Sequence, residues 1–128
     1  MKAIHFVLSA VLFLAPMASQ AATFIGSFKG RAACPGAGSD FLNEQFTLTM
    51  EPGTGIGVLT VVGMPQLDVA TDWVVDGNWS YFAASFVQDG AIVFNGWIKS
   101  GKWMKGNVAI HDYLTGCVVV ARLKAWLQ

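Results

Sequence analysis

Few residues in this chain are of types that do chemistry, and their spacing is instructive. Its two cysteines, Cys34 and Cys117, lie far apart with none between them. That excludes a Cys-x-x-Cys redox motif and suits a structural disulfide in an oxidising compartment. Closing a loop of that length stabilises a fold by roughly 2–4 kcal/mol, chiefly by restricting the unfolded chain. His111-Asp112 carries the one histidine outside the amino-terminal segment. Adjacent residues of a strand point to opposite faces, so the two do not share an acid–base site. No serine sits in a nucleophile-elbow pattern. Asp68, Asp72 and Asp76 fall on one face of an extended segment, but steps of roughly 13 Å between them are too long for one metal ion. No catalytic residue, metal site or cofactor is therefore expected, and the chain is not read as an enzyme.

Binding chemistry is better represented. The segment Trp97-Ile98-Lys99-Ser100-Gly101-Lys102-Trp103 brackets a turn with two tryptophans and two lysines, and Lys105 follows. Trp79 and Tyr81 lie beside the Asp76-Gly77 turn signal. Aromatic rings near cations suit sugar faces, partner proteins or anionic surfaces. Trp79, Tyr81, Trp97, Lys99, Lys102 and Trp103 are the candidate ligand- or partner-binding residues. The same rings offer a surface for homo-oligomer formation. Asn78-Trp79-Ser80 also matches the glycosylation acceptor pattern, which matters in a eukaryotic source.

Elements that position these residues follow from the pattern. Residues 1–21 read as a signal peptide. Lys2 is the positive start, Ile4 to Leu14 the short apolar run, and Ser19-Gln20-Ala21 the cleavage pattern. The run is shorter than the roughly 20 residues that span a bilayer. The expected product is secreted or periplasmic, not membrane-spanning, and comprises one domain over residues 22–128. Losing Lys2 leaves seven basic against eight acidic residues. So near-neutral a sum argues against nucleic acid and against a polyanion-binding surface.

Residues 22–128 read as strand after strand, with period-2 alternation and glycine turns about every ten residues. The expected strands are 23–33, 41–51, 56–64, 67–76, 79–87, 91–99, 102–112 and 117–127. Leu67, Val69, Thr71, Trp73 and Val75 take one face of the fourth, and aspartates dominate the other. The expected fold is all-β, an eight-stranded antiparallel up-and-down barrel closed by the Cys34–Cys117 disulfide. A β-sandwich is the alternative. An even strand count puts the end of strand one beside the start of strand eight, where the two cysteines lie. The hairpin at Gln88-Asp89-Gly90 has two possible registers. A three-residue turn sets Phe82 and Phe86 on the face of Ile92 and Phe94, and a two-residue turn sets Tyr81 and Val87 there instead.

Size, leader, cysteine pair and strand count resemble those of small exported barrels, among them avidin-like and lipocalin-like binders and periplasmic protease or lysozyme inhibitors. The resemblance is architectural and gives no residue a role. Two functions stay open. One is an exported, non-enzymatic binding module acting on a protein or glycan through loops and hairpin tips, inhibitor-like or adhesion-like. The other is a carrier of a small apolar ligand in a barrel cavity.

Overall fold

Alternating apolar residues and closely spaced turns give eight strands: β1 (Ala22–Cys34), β2 (Gly38–Met50), β3 (Ile56–Val61), β4 (Leu67–Trp73), β5 (Trp79–Val87), β6 (Gly90–Lys99), β7 (Trp103–Asp112) and β8 (Val118–Leu127). This is a computed structural model that describes residues 20–128. The expected leader, residues 1–21, lies outside the described residues apart from Gln20 and Ala21. Each strand pairs antiparallel with the next, and β1 pairs with β8, so the sheet closes into a barrel in chain order. The closing ladder runs from Phe24 opposite Leu127 to Ala33 opposite Val118. Cys34 and Cys117 come next in that register and are bonded, with Cα atoms 4.1 Å apart. Closure removes the free edges that would let so apolar a sheet aggregate.

An eight-stranded barrel is just wide enough for side chains to fill it. Here they do. Phe28, Phe46 and Phe94 meet inside, with Phe94 edge-on to Phe46 at 5.1 Å and to Phe28 at 5.6 Å between ring centroids. Phe24 lies edge-on to Trp73 at 5.8 Å. Leu48, Met50, Leu59, Ile98, Met104 and Leu123 are also fully buried. One inward row passes from Phe28 through Leu123, Gly106 and Gly96 to Phe82. The two facing glycines leave room for the large rings around them. A Cβ at Gly106 would collide with the Asn95 carbonyl of β6. Trp73 is inward too, and its indole N–H donates to Ser80 Oγ at 3.0 Å, which satisfies both buried groups.

The β5–β6 hairpin takes the three-residue turn. Phe86 lies opposite Ile92 and Ala84 opposite Phe94, so the apolar set of β5 faces the core and Tyr81 faces out. β4 ends at Trp73, three residues before the expected end. Alternation continues to Asp76, but β4–β5 pairing covers only Ala70 to Trp73. Val74 and Val75 are exposed in the connecting loop. At the β6–β7 turn, Ser100 and Gly101 both take positive φ (55° and 67°), and the Lys102 N–H returns to the Lys99 carbonyl at 3.0 Å. Positive φ at consecutive residues is what makes glycine useful in tight hairpins. This turn brings the two halves of the Trp97–Trp103 segment onto adjacent strands. Among the described residues no helix is long and apolar enough to cross a membrane.

Candidate functional site

Strand alternation sends Trp79 and Tyr81 of β5 outward while Ser80 and Phe82 go in. On β6 it sends Trp97 and Lys99 outward while Ile98 is buried. β7 contributes Trp103 and Lys105, either side of buried Met104. Antiparallel pairing lines these residues up. Trp79 lies opposite Lys99, and Lys99 opposite Trp103. One row further along, Tyr81 lies opposite Trp97, and Trp97 opposite Lys105.

The result is an aromatic and cationic wall. Lys105 Nζ sits 5.4 Å from the ring centroid of Trp79 and 5.6 Å from that of Trp103. Lys99 Nζ is 5.7 Å from Trp79. These distances are within cation–π range. Trp79 and Trp103 are 6.4 Å apart, and Tyr81 is edge-on to Trp97 at 5.6 Å. Trp97 remains 49 % exposed, Tyr81 45 % and Trp79 41 %. A shallow cleft of about 330 Å³ is lined by Trp79, Trp97 and Lys105.

Five of the six candidate residues therefore share one patch. Lys102 is at the hairpin tip, where its backbone closes the turn and accepts a hydrogen bond from Leu127 at 2.7 Å, and it makes no cation–π contact. Several members of the wall are distant in sequence. Trp126 of β8 lies opposite Trp103, and Lys124 opposite Lys105. Ile25 of β1 lies opposite Trp126. Trp126 is 56 % exposed, so four of the five tryptophans are on the outside of the barrel and only Trp73 is within. The signal for β8 is its alternation: Ala121, Leu123 and Ala125 are buried, and Arg122, Lys124 and Trp126, each following one of them, are exposed.

Charge is segregated around the barrel. Lys29 and Arg31 are on β1, Lys99 on β6, Lys102 at the β6–β7 turn, Lys105 on β7, and Arg122 and Lys124 on β8. All seven are exposed and occupy one continuous side. Acidic residues lie on β2, on β4, in loops, and at the far end of β7 in Asp112. The near-neutral sum describes the whole chain and not its surface.

Other features are separate from this wall. His111 is exposed and edge-on to Tyr113 at 5.0 Å. Leu114 N–H donates to Asp112 Oδ1 at 3.0 Å, and this bond, with the Thr115 hydroxyl, holds the Asp112 carboxyl below its usual pKa. Among the described residues, no three of His, Cys, Asp and Glu converge as metal ligands would. Asn78 Oδ1 accepts a hydrogen bond from Ser100 Oγ at 2.7 Å, while Ser80 of the same acceptor pattern is buried against Trp73. At one barrel mouth, above the packed core, an open depression of about 340 Å³ is lined by Phe86, Ile92, Ile110 and Met64, with His111 and Asp112 at its polar side. Comparison with protein-family models and with curated proteins finds no match.

Proposed function

We propose that this protein is an exported, non-enzymatic binding module that engages a macromolecular partner through the outer wall of β5–β8 and the β6–β7 hairpin tip. One observation carries the reading. Four tryptophans and Tyr81 stand on the outside of a barrel whose interior is already filled by phenylalanines. Burying exposed tryptophan and tyrosine against a partner is a large source of interface energy. Phe24, Phe28, Phe46, Leu48 and Phe94 are buried together in that interior. The disulfide is consistent with an oxidising, extracellular setting. Membrane barrels have an apolar exterior and a polar lumen; here the lumen is apolar, and Lys29, Lys105, Arg122 and Lys124 point outward.

A second reading is favoured by the mouth depression. Its apolar lining of Phe86, Ile92 and Ile110 and its volume of about 340 Å³ are at the lower end of small-ligand sites. A carrier would hold its ligand there.

Binding of the wild-type protein to arrayed extracellular polysaccharides and secreted proteins, compared with a Trp79→Ala/Trp97→Ala variant, tests the first reading. A parallel titration measures displacement of an apolar fluorescent dye by fatty acids. Retention of a macromolecule that the double variant loses is the expected result. Dye displacement that is sensitive to Phe86→Asp, with no macromolecule retained, would replace it with the carrier reading.

A further inference from the structure

The registers place like charges directly against each other. Lys105 lies opposite Lys124 on the β7–β8 ladder, and Arg122 lies opposite Lys29 on the β8–β1 ladder. Lys124 and Arg122 are successive outward residues of β8, so the four form one contiguous quartet. Their remaining cross-strand partners are Trp97, Ser27, Asn107 and Asn43. No carboxylate stands opposite any of them. Like charges directly opposite destabilise a sheet, and a fold of this size has little stability to lose. A ligand that supplies the missing negative charge gives such an arrangement a use.

Its shape points to the ligand. The cations step obliquely across the strands, from Lys99 on β6 through Lys105 and Lys124, then Arg122 and Lys29, to Arg31 on β1. At the rise and spacing of strands this track is roughly 25 Å long. It suits an extended polymer with repeated negative charges better than a compact anion. At its β6–β7 end the Trp79–Trp97 cleft with Lys105 offers aromatic faces beside a cation. The apolar C–H faces of a sugar ring stack on tryptophan while its acid group pairs with lysine. A planar membrane meets a convex wall along a narrow line and leaves much of an oblique track uncovered.

We propose that Lys29, Lys105, Arg122 and Lys124, with Trp79 and Trp97 at their edge, form a binding track for an acidic polysaccharide, a linear glycan bearing carboxylates or sulfates. The proposal rests on the outer-wall reading above and names its partner class.

Titration calorimetry with polygalacturonate and dextran sulfate, with neutral dextran as control, tests it. The expected result is binding to at least one acidic polymer, weakening as NaCl is raised, and none to dextran. Lys105→Gln/Lys124→Gln, two exposed positions whose change relieves repulsion, should weaken binding about tenfold or more. Trp97→Ala should weaken it as well. No binding to either acidic polymer overturns the proposal, as does binding indifferent to the lysine pair. Equal or tighter binding of single-stranded DNA or of phosphatidylglycerol vesicles, with the same dependence on Lys105 and Trp97, also overturns the glycan assignment. A protein partner lost with Trp79→Ala/Trp97→Ala, without any polysaccharide binding, overturns this proposal and leaves the outer-wall reading standing.

Discussion

Trp73 of β4 and Ser80 of β5 are joined by an indole N–H to Oγ hydrogen bond of 3.0 Å inside the barrel. Each is 5 % exposed, so neither finds water if the other is removed. Ser80→Ala should destabilise by about 1–3 kcal/mol, because a buried donor is left without an acceptor. Trp73→Phe on the Ser80→Ala background should cost less than the sum of the two single changes, since it deletes the orphaned donor. Urea unfolding of the four proteins measures this. Additive costs would show that the bond contributes nothing.

The disulfide joins positions 83 residues apart, at the end of the β1–β8 ladder. Reduction should lower the stability by about 2–4 kcal/mol. The β1–β8 hydrogen bonds remain, so the reduced protein should still fold as a barrel with a lower urea midpoint. Cys34→Ser/Cys117→Ser should behave like the reduced protein. An unchanged midpoint on reduction would mean that the closed sheet alone restrains the seam.

Much of this fold is legible in the chain. The alternation of Phe46, Leu48 and Met50 with Thr47 and Thr49 marks a strand with one buried face, and the even strand count puts Cys34 beside Cys117. Two features are not legible. The expected third and fourth strands each overrun by three residues, past Val61 and Trp73, because alternation reports side-chain pattern, while a strand ends where its partner's hydrogen bonds end. The β5–β6 register stays open because a one-residue slip exchanges Tyr81 for Phe82 on the core face, and both are aromatic. Half of the candidate site, from Trp79 to Trp103, is local and visible. The other half, Trp126, Lys124, Arg122 and Lys29, is brought in by pairing with β8 and by closure. A net charge near zero conceals this, because a sum carries no information about placement.

Gly96 and Gly106 face each other in the inward row between Leu123 and Phe82. A Cβ at Gly106 meets backbone atoms of Asn95 and Gly96, which cannot yield as a flexible side chain would. Gly106→Ala should therefore destabilise by about 1–3 kcal/mol, the range for overpacking. Gly106→Val should do so by more. Thermal melts of the two variants against wild type give the comparison, and a neutral Gly106→Ala would show that the β6–β7 ladder can separate locally.

Asp112 sits where β7 leaves the sheet, and its carboxylate accepts from Leu114 N–H and Thr115. These bonds favour the charged form, so its folded pKa lies below the unfolded value near 3.8. The stability it contributes is present above that value and is lost as pH falls through the folded pKa. Asp112→Asn should thus keep its full difference from wild type above about pH 5 and lose it progressively as the pH falls below that. Urea midpoints measured across that range check the sign. A gap that widens on acidification would contradict the assigned bonds.

Repulsion between Lys105 and Lys124 makes a prediction that needs no ligand. Lys124→Glu turns a like-charge cross-strand pair into an opposite-charge pair and places a carboxylate diagonally from Lys29. Opposite charges directly across a ladder contribute about 0.2–1 kcal/mol relative to alanines, and the repulsion is removed as well. The variant should unfold at a higher urea concentration than wild type in low salt. The gain should shrink as NaCl screens both interactions, because the side chains are exposed. Lys124→Gln, which removes the repulsion without adding an attraction, is the control and should give a smaller gain. Were Lys124→Glu neutral in low salt, the two ammonium groups would not oppose folding. The arrangement would then be an ordinary solvated surface and not one held against its own electrostatics.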